Sequence, residues 1–82
     1  MAATREEICG WLEEAKQLGA THLIVVCDTF GHEDYPVFVM PGQNPQEKAD
    51  LYREDMEKVM EVYSLSHDIG KQLAEHRAIH FD

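Results

Sequence analysis

The chain has 82 residues, which makes one domain, 1–82, and a monomer of this length buries only about 60 to 65 % of the surface its unfolded chain exposes. An apolar fraction of 44% and a charged fraction of 28% exclude a disordered tail and describe a globular chain that folds. Seven Lys and Arg against sixteen Asp and Glu give a formal net charge of -9, so long-range repulsion argues against DNA, RNA or an anionic membrane as partner, while a small anion gripped by a few cations at short range stays possible.

From about 4 to 18, TREEICGWLEEAKQL puts Ile8, Trp11, Leu12, Ala15 and Leu18 on one side, the pattern of an amphipathic helix. Thr4 is placed to cap it, Glu6 and Glu7 suit the positive end of its dipole, and Gly19 supplies the stop. His22 to Cys27, HLIVVC, is β-branched and apolar without alternation, as in a central strand buried on both faces. Tyr35 to Met40 is a second strand, with Pro36 at its start or on a sheet edge. The short polar loop between the two runs implies an antiparallel hairpin.

Pro41-Gly42 is a turn, and Asn44-Pro45-Gln46-Glu47 opens a helix with a cap residue and a proline at its first position. The end of this helix has two solutions. Met56, Val59, Met60 and Tyr63 are spaced as in a helix reaching Ser64, yet Lys58 to Leu65, KVMEVYSL, is equally a strand. From Ser66, which offers a cap, SHDIGKQLAEHRAIH reads as a last helix whose apolar side runs through Ile69 and Leu73 to His76 and His80 or Ile79. Two cysteines, Cys9 and Cys27, and no secretory segment at the start suit reduced thiols in a cytoplasm. No run of about 18 apolar residues is present to span a bilayer.

The chemistry-bearing residues crowd the hairpin, VVCDTFGHEDYPVFV. Cys27, Asp28, His32, Glu33 and Asp34 are metal-ligand types, but they match no ligand spacing, and strand alternation sends Cys27 and Asp28 to opposite faces. His76 and His80 sit four apart, without the glutamate of a metalloprotease motif. No phosphate-cradling glycine loop or nucleophile elbow is present. No metal or cofactor is expected, and binding is favoured over catalysis.

Phe30 and Tyr35 flank the loop and suit stacking on a flat base, worth roughly 1 to 3 kcal/mol per base. Asp28, Thr29 and Asp34 can bond base edges or ribose hydroxyls, and Arg77 can grip a phosphate. The plainer alternative is that the two aromatics merely close the hairpin and Arg77 pairs with Glu61 or Glu75.

The segments HLIVVCDTFGHEDYPVFV, VMEVYSL and QLAEHRAIH resemble a set of short phage and bacterial proteins that carry VVCDTF, E-D-Y-P-V, M-E-V-Y and E-H-R-A in the same order, a likeness running from Gly19 to His80. The set is similar to viral sponge proteins, oligomeric binders that sequester the cyclic nucleotide signals of bacterial antiphage defence without cleaving them. The resemblance implies that a short helix ends before Met56 and that residues 57–64 form a third strand, although this chain has Arg53-Glu54-Asp55 where the pattern has Gly and Asn. The resulting expectation is an α+β fold in the order α-β-β-α-β-α, a small antiparallel sheet covered by helices on one face. It also implies a non-enzymatic homo-oligomer in the cytoplasm that binds a cyclic nucleotide through Asp28, Thr29, Phe30, Asp34, Tyr35, Arg77 and His80. Holding an anion in so acidic a chain requires Arg77 to converge with Arg53 or Lys58. The alternative is an acidic interaction module that occupies a basic site on a host protein. A third option is a metal-dependent hydrolase built on His76, His80 and the loop acids.

Overall fold

The structure is a computed structural model and describes residues 3–53, 56–75 and 77–81. Helix α1 (Arg5–Leu18) precedes strands β1 (His22–Asp28) and β2 (Glu33–Val39), helix α2 (Pro45–Asp50), strand β3 (Glu57–Ser64) and helix α3 (Ile69–Ala74). The strands form one antiparallel sheet in the order β2-β1-β3. The α+β class and the order α-β-β-α-β-α are those expected from the sequence.

Local signals start α1 and α2 and stop α1 as read. The Thr4 hydroxyl accepts from the Glu7 N–H at 3.1 Å, and Gly19 ends α1 at φ 77°, a left-handed value that favours glycine. Asn44 accepts from the N–H groups of Gln46 and Glu47, with Pro45 at the first turn. On α3 the cap is Asp68, whose carboxylate accepts from the Lys71 N–H, in place of the expected Ser66.

Strand β1 is the centre of the molecule, and Leu23, Ile24, Val25 and Val26 are fully buried. Alternation sends Ile24 and Val26 to one face, where Val37, Val39, Ala49, Val59 and Val62 pack with Tyr35, Tyr52 and Phe81. Leu23 and Val25 face the other way, onto Ile8, Leu12, Tyr63 and Ala78, with Trp11, Phe38, Met60, Ile69 and Leu73. Both faces are therefore covered, by α1 and α3 on one and by Ala49 of α2 with Tyr52 and Phe81 on the other. This corrects the expectation of helices on one face only.

Strand β3 resolves the helix-or-strand ambiguity and explains it. Its pairing with β1 shifts register between Val25 and Val26, with Val25 opposite Glu61 and Val26 opposite Val59, so Met60 is the extra residue of a β-bulge. The bulge puts Val59 and Val62, three apart, on one face, and Met60 and Tyr63, three apart, on the other. A spacing of three, which imitates a helix in the sequence, is here produced by a strand with one residue inserted.

The two sheet edges are closed differently. The Leu65 N–H bonds to the Thr21 carbonyl and the Thr29 N–H to the Met56 carbonyl, so odd residues of β1 pair with β3 and even ones with β2. Residues 34, 36 and 38 then aim their backbone outward, and Pro36 removes the middle donor from that edge, which blunts further strand pairing. On the β3 side, the outward Val62 donates to the Ala78 carbonyl at 2.8 Å and accepts from the His80 N–H at 2.9 Å. The buried Gln72 amide accepts from the Ser64 N–H and donates to the Ser64 carbonyl, each at 2.8 Å, replacing a neighbouring strand.

That demand also shortens the last helix. It ends at Ala74, and Ile79 makes a parallel bridge with Val62 where a continued helix was expected. Gln72→Leu fills the same space but removes the bonds of the Gln72 amide to the Ser64 N–H and carbonyl, leaving the longer 3.3 Å bond from the His67 N–H to that carbonyl, at a cost of about 1–3 kcal/mol. In urea unfolding, the expected result is a lower midpoint with unchanged slope, whereas the exposed Glu13→Gln should shift stability by less than about 0.5 kcal/mol.

Candidate functional site

Strand alternation disperses the hairpin residues. Asp28 turns its carboxylate back to accept from the Phe30 N–H at 3.0 Å, an Asx turn, and the Thr29 N–H is held by the Met56 carbonyl. Asp34 faces α1, accepting from the Ala3 N–H at 2.8 Å. Tyr35 faces the opposite side, donates its hydroxyl to Glu57 and meets Tyr52 edge-on at 6.3 Å between ring centroids. Phe30 is 77% exposed, and the packed Tyr35 ring forms no two-ring sandwich with it.

The remaining sequence candidates for chemistry separate further. Burial, then the neighbouring Asp34, pushes the Cys27 thiol up, which keeps it protonated and suits packing rather than nucleophilic or metal chemistry. His80 bonds the Glu75 carboxylate through Nε2 at 2.9 Å and lines a hollow against α3 with His67, Asp68 and Lys71, apart from the hairpin. His76 lies outside the described residues. Among the described residues no group of three His, Cys, Asp or Glu is placed to hold a metal ion.

Arg77 is the residue around which a site does assemble. It donates from Nε to the Met60 carbonyl at 2.8 Å and from Nη2 to the Val59 carbonyl at 3.1 Å, while Nη1 makes no hydrogen bond among the described residues. It pairs with neither Glu61 nor Glu75, because Arg5 takes Glu61 and Tyr63 and His80 takes Glu75. The partners of its guanidinium are neutral carbonyls, which orient the charge without cancelling it.

Beside it lies a hollow of about 490 Å³ lined by Arg53, Glu57, Lys58, Val59, Arg77 and Ile79. Three of the seven basic residues of an acidic chain converge there, as an anion site requires. Among the described residues the Arg53 side chain is engaged by Asp50 at 3.7 Å, between half-exposed side chains, a contact of little strength. The outward parity of β3 also turns the Val59 N–H toward this edge. Arg53 and Lys58 were singled out in the sequence as possible companions of Arg77; Glu57 was not, since its contact with Tyr35 crosses the sheet through β1.

Two other hollows are less suited to an anion. Asp34 and Arg77 share one of about 310 Å³ with Glu61, Ala3 and Ile8, where two carboxylates outweigh one guanidinium. A larger one, about 500 Å³, lies between α1 and the start of α3, lined by Leu12, Ala20, Leu65 and Ile69 with Glu13 opposing Lys16. No helix among the described residues is long and apolar enough to cross a membrane. No family model matches the chain, and no curated protein or solved structure matches it.

Tyr35 and Tyr63 have phenols raised well above the ordinary value of 10.0, in each case by burial first and then by the hydrogen-bonded carboxylate, Glu57 or Glu61. The folded chain thus holds these protons more tightly than the unfolded chain. Their contribution to stability is complete below pH 10 and is lost as pH rises from there through the folded-state values. In alkaline absorbance titration, Tyr35→Phe and Tyr63→Phe should each remove one late-ionising phenol, and a normally titrating phenol lost from either variant would contradict the assignment.

Proposed function

We propose that this protein is a non-enzymatic, homo-oligomeric sponge that binds and sequesters a cyclic nucleotide signal in the cytoplasm, blocking antiphage defence. One observation carries the reading: Arg53, Lys58 and Arg77 meet in a single hollow of a chain whose formal charge is -9. Arginine presents a planar fork to phosphate oxygens, and a fork already oriented by the carbonyls of Val59 and Met60 loses little entropy on binding. Val59 and Ile79 add apolar wall for the non-ionic part of such a ligand. The overall negative field disfavours nucleic-acid polymers and anionic bilayers.

Association through side chains suits the closed sheet edges. Phe30, Leu51 and Met56, 77%, 70% and 60% exposed, supply apolar surface for a second copy, and a homo-oligomer relieves the marginal burial of so short a chain. The acidic exposed face of α1, Glu6, Glu7, Glu13 and Glu14, favours a second reading, an interaction module that occupies a basic site on a host protein.

Incubation with a panel of cyclic mono-, di- and trinucleotides, followed by heating and recovery of the ligand, separates these. A sponge releases the ligand intact, and at a hundredfold excess over its dissociation constant the ligand raises stability by about 2.7 kcal/mol. Lys58→Ala and Arg53→Ala, both exposed, should weaken binding with little effect on the unliganded melting temperature. No binding across the panel, or recovery of hydrolysed product alone, contradicts the sponge. A stoichiometric host protein without a nucleotide-dependent shift supports the interaction module. Light scattering at several concentrations reads the oligomeric state, and a monomer throughout removes that part of the proposal.

A further inference from the structure

The anion hollow contains a carboxylate, and a pure anion site has no use for one. Glu57 lies among Arg53, Lys58 and Arg77, and its carboxylate repels any phosphate the three cations attract. It is not loose. Its Oε2 accepts from the Tyr35 hydroxyl, and the Tyr35 ring is packed against the core face and edge-on to Tyr52. Oε1 of Glu57 has no hydrogen-bond partner among the described residues. A fixed carboxylate with one occupied oxygen is an acceptor for a single donor.

Resting on the assignment of the hollow to a phosphate-bearing ligand, we infer that Glu57, held by Tyr35, is a specificity-determining residue that selects ligands carrying a neutral hydrogen-bond donor beside the phosphate. The chemical class is a nucleotide or sugar phosphate, with a ribose hydroxyl or an exocyclic amino group as donor. A donor-free polyanion meets the same cations and gains nothing from Glu57. Such a ligand leaves that carboxylate unpaired and facing its own charge, which is the way polar sites reject analogues lacking a donor. The cations thus supply attraction, and Glu57 supplies discrimination. Tyr35 acts through Glu57 and is a positioning residue.

The probes are inorganic pyrophosphate and 3′,5′-cyclic AMP, titrated by calorimetry against the full chain. The wild-type protein should prefer cyclic AMP although pyrophosphate carries more charge. Glu57→Gln removes the charge and keeps an oxygen to accept from Tyr35; it should bind pyrophosphate about three- to tenfold more tightly and narrow the preference. Tyr35→Phe, which frees the carboxylate, should narrow the preference with less gain for pyrophosphate, and it reads the same ratio should Glu57→Gln fold poorly. Lys58→Ala should weaken both probes together. A ratio unchanged in Glu57→Gln and Tyr35→Phe overturns the role of Glu57 while leaving the hollow as an anion site. Absence of any Lys58-dependent binding of either probe overturns the inference as well, and the cyclic nucleotide panel then decides the sponge reading separately.

Discussion

The outer edge of β3 carries backbone groups that face away from β1, and the C-terminal third of the chain is arranged to meet them. A buried peptide group without a partner costs as much as a lost hydrogen bond. The solution uses three different devices along one strand: the Gln72 amide at Ser64, backbone of residues 78–80 at Val62, and the Arg77 guanidinium at Val59 and Met60. A fourth full strand would have closed the edge more simply. With so few residues, side chains substitute for it, and the helix that might have continued past Ala74 yields to this requirement.

The candidate site is a consequence of that closure. Because Arg77 is anchored by carbonyls and not by a carboxylate, its charge persists at the sheet edge, where Arg53 arrives from the segment after α2 and Lys58 from β3. The same parity that points Val59 outward brings Glu57 onto the face reached by Tyr35. Stability and binding therefore share residues. Arg5 shows the complementary arrangement: it joins Glu61, the Tyr63 hydroxyl and the Glu75 carbonyl, tying α1 to β3 and the end of α3, and its charge is matched in place.

Much of the fold was legible because its signals are local. Thr4, Gly19, Asn44 and Pro45 act within one turn of chain, and the β-branched apolar run from Leu23 to Val26 has the pattern of a strand buried on both faces. Residues 57–64 were ambiguous for a physical reason, since the bulge at Met60 converts a period of two into a spacing of three. The site was legible in its cations and not in its position. Asp28 and Asp34 are turned to local backbone partners and Tyr35 to Glu57, contacts that depend on strand alternation and register, while His80 is drawn to Glu75 by the shortening of α3.

Local signals along the sequence set the order of the first four elements and the places where α1 and α2 begin and α1 ends, while residues 57–64 stay open between strand and helix, and net charge sets the condition that any anion site must gather scarce cations. These follow from side-chain periodicity, capping chemistry and net charge, which act over a few residues or over the whole chain at once. Tertiary structure alone decided that Arg53, Lys58 and Arg77 meet, that Glu57 stands among them, and that the hairpin tip is a turn with an exposed aromatic. Those outcomes depend on register across β1 and on the hydrogen bonds of the β3 edge, which couple residues distant in the chain, Tyr35 with Glu57 and Val59 with Arg77 among them.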